Sequence, residues 1–237
     1  MMSGKRWGYV VQFFCLLVFL GMSPFLIKMD GRKTMSVSSD SVRSQNVSDE
    51  VKPVVALTFD DGPNASSTPI LLDGLKERKV RATFFLIGEN VEKDENEKIV
   101  KRMYEEGHLI GNHTYTHCNL SKLETGEAKK ELEQTDTVIE KITGKQPVFV
   151  RAPYGELPVD SEQDLNRIYI GWTVDPLDWM TEDTGEVVKT VVEEINPGDV
   201  ILLHDCYKSS VEAALRIVDL LKAEGFEFVT VDKLILE

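Results

Sequence analysis

The sequence predicts an α/β protein with a parallel sheet, open or closed into a (β/α) barrel and with strands enough to favour the barrel, preceded by an N-terminal transmembrane helix. Three observations carry this reading. From Pro53 onward, short apolar runs rich in β-branched residues alternate with amphipathic stretches, the pattern of βαβ units with right-handed crossovers. Polar clusters follow the apolar runs directly, at the strand ends where α/β sheets and barrels place their chemistry. Finally, an uncharged stretch from Tyr9 to Ile27 follows Lys5 and Arg6 at the start of the chain.

That stretch comes close to the roughly 20 residues that span a bilayer. A cleaved signal peptide has a shorter apolar region and a small-x-small site, whereas here Pro24 follows the small residues Gly21 and Ser23. Residues 1–27 are therefore expected to be an uncleaved signal anchor, with a cleaved signal peptide as the alternative. Lys28 to Lys52, a Ser/Val/Asp mixture without period, reads as a flexible linker, and 53–237 as one domain. Within it, Pro53 to Asp61 is a buried strand stopped by Gly62-Pro63. Ile70 to Lys79 has helical spacing. Arg81 to Ile87 is a second strand closed by Gly88. Glu95 to Glu106 is a charged amphipathic helix, and Leu109 to Gly111 a short strand. Thr125 to Thr143 is a long helix ended by Gly144. Strands follow at Val148 to Val150, Tyr169 to Trp172, Val200 to Leu203 and Phe226 to Val229. Helices lie at Val187 to Ile195 and Ser210 to Glu224.

Composition is that of a chain that buries a core, with 42% hydrophobic and 28% charged residues. Net charge is −13, and because residues 1–52 carry +3, the body carries −16. An acidic body argues against nucleic acid as a partner, since phosphate binding needs a basic surface.

The strand ends hold five polar clusters. Asp60-Asp61 ends the first strand. Two adjacent carboxylates repel each other unless a cation or an arginine is near. His113 and His117 stand at i and i+4, and on a helical turn would share one face. With one carboxylate of the pair they make a His₂Asp set, which leaves a coordination position open, as catalytic zinc sites do. Arg151 and Tyr154 follow the strand ending at Val150, and the guanidinium is poised to grip a carboxylate. Asp175-Pro176-Leu177-Asp178-Trp179 and Leu202-Leu203-His204-Asp205 complete the series, with His204 where a catalytic acid or base is typically placed.

In this order, Thr58-Phe59-Asp60-Asp61-Gly62-Pro63, His113-Thr114-x-x-His117, Arg151-x-Pro153-Tyr154, Asp175-x-x-Asp178-Trp179 and Leu202-Leu203-His204-Asp205 resemble the five motifs of the NodB-homology polysaccharide deacetylases, carbohydrate esterase family 4. The resemblance spans Pro53 to Glu237, and departs where Ala152 replaces a common proline. It implies the distorted barrel and hydrolysis of N-acetyl groups on amino sugars. By motif, Asp60 is implied as general base, and Asp61, His113 and His117 as ligands of one divalent metal, zinc first, with cobalt or manganese as alternatives. Arg151 is implied to hold and tune the base, Tyr154 to offer its backbone N–H to the oxyanion, and Asp178 to pair with the general acid His204. Trp179 and Leu202 are implied to wall the acetyl pocket. The expected partner is an acetylated amino-sugar polymer, peptidoglycan first, with chitooligosaccharide or polyglucosamine behind it. Catalytically dead sugar-binding barrels and small-molecule amidases are the competing classes. The anchor would place a single-pass protein in the cell membrane with its catalytic domain outside, or a secreted enzyme if cleaved. Cys118 and Cys206, each beside a motif histidine, are open between a disulfide and two unpaired thiols.

Overall fold

Apolar β-branched sequence and an immediate Gly-Pro stop make Val54–Asp60 the central strand β1, buried from Val55 onward. The computed structural model describes residues 52–236 except 94, 160, 162 and 163. Six further strands, all parallel, follow: β2 (Thr83–Leu86), β3 (Leu109–Asn112), β4 (Phe149–Val150), β5 (Ile168–Tyr169), β6 (Val200–His204) and β7 (Glu227–Val229). Their order is β5-β4-β3-β2-β1-β6, with β7 paired to the first half of β1. The helices are α1 (Thr68–Arg78), α2 (Gly88–Val91), α3 (Asn96–Glu105), α4 (Thr125–Thr143), α5 (Thr184–Glu194), α6 (Lys208–Ala223) and α7 (Val231–Leu236). The anchor expected at 1–27 and all but the last residue of the linker lie outside the described residues. Among the described residues no helix is long and apolar enough to cross a membrane.

The period of two along β1 and β6 sorts their side chains between two environments. Leu57, Phe59, Ile201 and Leu203 face the helical layer, where they join Leu71, Leu75, Met103, Ile217 and Val218 in the main core. Ala56 belongs to a smaller cluster with Phe85, Phe149 and Val231 on the inner side. Thr58 and Asp60, two and four residues beyond Ala56, share that inner side. Their register partners on β6 are Leu202 and His204.

The barrel expectation holds as a curled half-barrel. Ile170 N–H donates to Val150 O at one edge of the sheet, while Thr173 N–H donates to Val200 O and Val174 bridges Ile201 at the other. Only two residues separate Ile170 from Thr173, about 10 Å of extended chain, so the sheet must curl until its edges nearly meet. The strand expected over Tyr169 to Trp172 shortens to β5 because the carbonyls of Ile170 and Gly171 accept from the Arg151 guanidinium instead of a ladder partner. Two short helices, α2 and α7, were not legible as periodic segments; each is too short to show a helical period.

Phe59 is fully buried and stacks on Phe84 with ring centroids 5.2 Å apart. Phe59→Ala should therefore cost about 3–5 kcal/mol, read as a lower denaturation midpoint in urea with an unchanged slope.

Candidate active site

The carboxyl ends of β1, β3, β4 and β6 bring four of the five polar clusters to one mouth, and the loop carrying Asp178 joins them there. Arg151, the first residue after β4, is wholly buried and reaches across the inner face to β1. Its Nη1 donates to Asp60 Oδ1 at 2.8 Å and to Thr58 Oγ1 at 2.7 Å; Nη2 donates to Gly171 O at 2.9 Å. The guanidinium lies over the Phe85 ring, 4.3 Å from its centroid.

Asp61, the next residue, adopts a left-handed φ of 70° and turns away from Arg151. Its Oδ1 lies 3.5 Å from His113 Nε2 and 3.3 Å from His117 Nε2. Burial opposes ionisation of Asp61. The neighbouring imidazoles of His113, His117 and His204 outweigh it and hold the carboxyl below its ordinary value. Burial lowers the pKa of His117, so the neutral ring suits a metal ligand. His113 Nδ1 donates to Arg151 O at 2.7 Å, which fixes the tautomer and leaves Nε2 as a free lone pair. His117 Nδ1 stands 3.3 Å from the Tyr154 hydroxyl.

These three residues fit a metal. One donor atom from each lies within 4.8 Å of the others, and Asp61 Oδ1 is buried with no hydrogen-bond partner. Atoms bound about 2.1 Å from a tetrahedral ion stand about 3.4 Å apart, close to the two separations above. The helical turn expected for His113 to His117 is not formed. The segment is a loop with left-handed Thr114 (φ 64°) and His117 (φ 57°), and that path brings the ring centroids to 5.0 Å.

Asp178 clasps His204 with both oxygens, Oδ1 on Nδ1 and Oδ2 on the backbone N–H, each at 2.8 Å. Burial alone would lower the His204 pKa. The bond and charge of Asp178, with Asp60 and Asp61 behind it, push it up to about 9. Tyr154 is exposed with a φ of 63° and its ring 4.9 Å from that of His117. Leu202 is buried on the inner face two residues before His204. Trp179 is half-exposed and lines a cleft of about 690 Å³ with Asp178, Met180, Cys206 and Tyr207.

A family model described as polysaccharide deacetylase matches residues 48–170. The chain belongs to this family. A peptidoglycan-N-acetylglucosamine deacetylase of Bacillus cereus is 42% identical over 186 residues, covering 76% of this chain and 67% of that one. The peptidoglycan-N-acetylmuramic acid deacetylase PdaC of Bacillus subtilis is 38% identical over 194 residues, 82% of this chain and 41% of that one, so the chain spans about two fifths of PdaC. The solved PdaC structure aligns at a TM-score of 0.74 over 78% of this chain and 90% of that chain. A family 4 acetyl xylan esterase from Clostridium thermocellum, solved with a cobalt ion, aligns at 0.73 with 33% identity, over 77% of this chain and 90% of that chain. The chain is thus a hydrolase of the polysaccharide deacetylase type.

Three supporting residues of this deacetylase had no role assigned from sequence. Thr58 passes a hydrogen bond from Arg151 on to Ile201 O at 2.6 Å; its place two residues before Asp60, on the same face of β1, was the available signal. Asn112 Oδ1 accepts from Thr114 N–H, which no local pattern announces. Asp205 is fully buried; its Oδ2 accepts from Thr68 Oγ1 and its carbonyl from Ser67 Oγ, both at 2.6 Å. It thereby ties the loop after Asp61 to the end of β6.

The disulfide left open by sequence is not formed: Cys118 and Cys206 are both free. Cys118 packs with Leu120 and Leu132 beneath the histidine loop, whereas Cys206 lines clefts beside Asp61 and Trp179. Burial, with the charges of Asp61 and Asp205, pushes the Cys206 thiol up to about 12.

Gly62 leaves no room for a side chain, since a Cβ there would sit 2.5 Å from both Asp205 carboxylate oxygens. Gly62→Ala should cost about 1–3 kcal/mol by overpacking, measured by chemical denaturation, and should weaken metal binding in parallel by displacing Asp61.

Proposed function

We propose that this chain is a membrane-anchored, extracytoplasmic enzyme that removes N-acetyl groups from N-acetylglucosamine-type residues of peptidoglycan, using one divalent metal, zinc first. The observation that carries the reading is the sorting of two adjacent carboxylates. Arg151 binds Asp60 Oδ1 and leaves Oδ2 3.7 Å from His113 Nε2, whereas Asp61 Oδ1 lies nearer both histidines, at 3.5 and 3.3 Å. A carboxylate anchored by a guanidinium beside a metal set is what a general base requires, and a non-catalytic sugar binder has no use for one. The peptidoglycan deacetylases among the relatives support the polymer. The uncharged N-terminal stretch supports the membrane.

A divalent metal held by Asp61, His113 and His117 would supply Lewis acidity, easing ionisation of water and polarising the amide carbonyl. Asp60 Oδ2, the oxygen not gripped by Arg151, takes the proton from the attacking water. The Tyr154 backbone N–H donates to the carbonyl oxygen as negative charge develops there. His204 delivers its Nε2 proton to the departing nitrogen, since an amide nitrogen leaves only when protonated. Asp178 keeps that ring oriented and protonated. Leu202 and Trp179 bound the space for the acetyl methyl.

Acetate release by the full chain from peptidoglycan, chitooligosaccharides and polyglucosamine tests the assignment. Peptidoglycan should be the preferred substrate. Preference for a chitooligosaccharide would replace the polymer, and release from none would overturn the enzyme reading.

Asp60→Asn should retain metal and lose turnover, whereas Asp61→Ala, His113→Ala or His117→Ala should lose both, as read by metal content and acetate release. Loss of metal from Asp60→Asn would reverse the two carboxylate roles. The raised His204 pKa sets the alkaline limb. Activity should fall as pH rises through about 9, where the imidazolium loses its proton. Asp178→Asn should move that limb down by about one unit or more in a kcat/KM profile.

A further inference from the structure

Three residues, Thr114 to Thr116, separate the histidines of the candidate metal set, and their backbone is held from two sides. Thr114 O and Tyr115 O accept from Gly88 N–H and Glu89 N–H at the start of α2, both at 3.0 Å. On the other side, one carboxylate on α4 collects three donors. Glu131 Oε2 accepts from Tyr115 N–H at 3.0 Å and Thr116 N–H at 2.9 Å, and Oε1 accepts from Thr116 Oγ1 at 3.1 Å. Thr114 N–H is taken by Asn112 Oδ1 at 2.8 Å, and Asn112 is itself bonded to Asp136 of α4. Every N–H between the two histidines is thus accepted by a side chain that α4 supplies or braces.

This loop needs holding. Thr114 is β-branched and Thr114 and His117 are both left-handed, a conformation costing about 1–2 kcal/mol per non-glycine residue. Such conformations persist only where surrounding contacts over-determine them. Glu131 grips the middle of the loop, where Thr116 is exposed and water could otherwise take the N–H groups. Removing Glu131 therefore frees the loop and leaves only the part-buried Tyr115 and exposed Thr116 donors to water, so the ligand geometry relaxes while the fold stands.

We propose that Glu131 is a positioning residue for the metal set, holding His113 and His117 in binding geometry through the loop between them. This rests on the metal reading of Asp61, His113 and His117. Partners that orient metal ligands typically change affinity or activity about 10–100-fold when removed.

Zn²⁺ binding to the full chain, measured by competition with a chromophoric chelator, tests it. Glu131→Ala should weaken Zn²⁺ about 10-fold or more. The metal-free protein should keep its Tm within about 3 °C of wild type. Glu131→Gln, whose amide oxygen still accepts the two N–H groups, should recover most of that affinity. Glu133→Ala, on the same helix and facing another cleft, should bind as wild type. The absorption bands of the Co²⁺-loaded protein should change in Glu131→Ala and return in Glu131→Gln. Unchanged Zn²⁺ affinity in Glu131→Ala, with or without a lower Tm, would overturn the proposal and leave Glu131 as a loop brace. Equal loss in the Ala and Gln variants would also overturn it, since charge and not hydrogen bonding would then be at work. A wild-type chain that binds no Zn²⁺, or whose binding survives His113→Ala, would overturn the metal reading itself and this proposal with it.

Discussion

The buried pair of Arg151 and Asp60 is the constraint on which the mouth depends. Burying a guanidinium and a carboxylate is costly, and removing one partner leaves an uncompensated charge. Here the cost is offset by dense satisfaction. The guanidinium donates to Asp60, Thr58, Gly171 and, at 3.3 Å, Ile170, and it rests on the face of Phe85. One side chain therefore joins β4, β1 and the segment crossing between the sheet edges. The backbone of the same residue accepts from His113 Nδ1. Arg151 thus orients the candidate base with its side chain and one candidate ligand with its carbonyl.

Strain collects around that pair. Among the described residues, six non-glycine positions are left-handed: Asp61, Lys79, Thr114, His117, Tyr154 and Leu177. Lys79 ends α1, which is an ordinary use of the conformation. The other five lie in the loops that carry the candidate ligands, Tyr154 and Asp178. Backbone held in this region persists where neighbours over-determine it, and active sites are where that occurs. In this deacetylase the neighbours are identifiable. Asp205 staples the loop after Asp61, α2 and α4 clamp the histidine loop, and the two-oxygen clasp of Asp178 on His204 follows Leu177 directly.

The sequence by itself determined the parallel α/β class, because buried β-branched runs alternating with amphipathic helices have few other solutions. It also determined which residue types end each strand. Asp60, Asp61, His113, His117, Arg151, Asp178 and His204 were all legible there, and all seven meet at one mouth. A strand's carboxyl end is a local property, visible in a few residues.

Tertiary structure decided what those residues do to one another. Adjacent carboxylates are equivalent on paper; a left-handed Asp61 and a guanidinium arriving from three strands away make them different. The i,i+4 spacing of the histidines suggested a helical turn, yet their juxtaposition comes from a strained loop held by α2 and α4. Glu131 lies on a helix crowded with charges, where nothing local separates a solvated carboxylate from one that grips another loop. Whether Cys118 and Cys206 could bridge was likewise undecidable from spacing, since neighbouring loops do not guarantee facing side chains. The physical reason is common to these cases. Periodicity and composition report the environment of a residue, whereas distances between residues far apart in sequence are set only when the sheet curls and its loops converge.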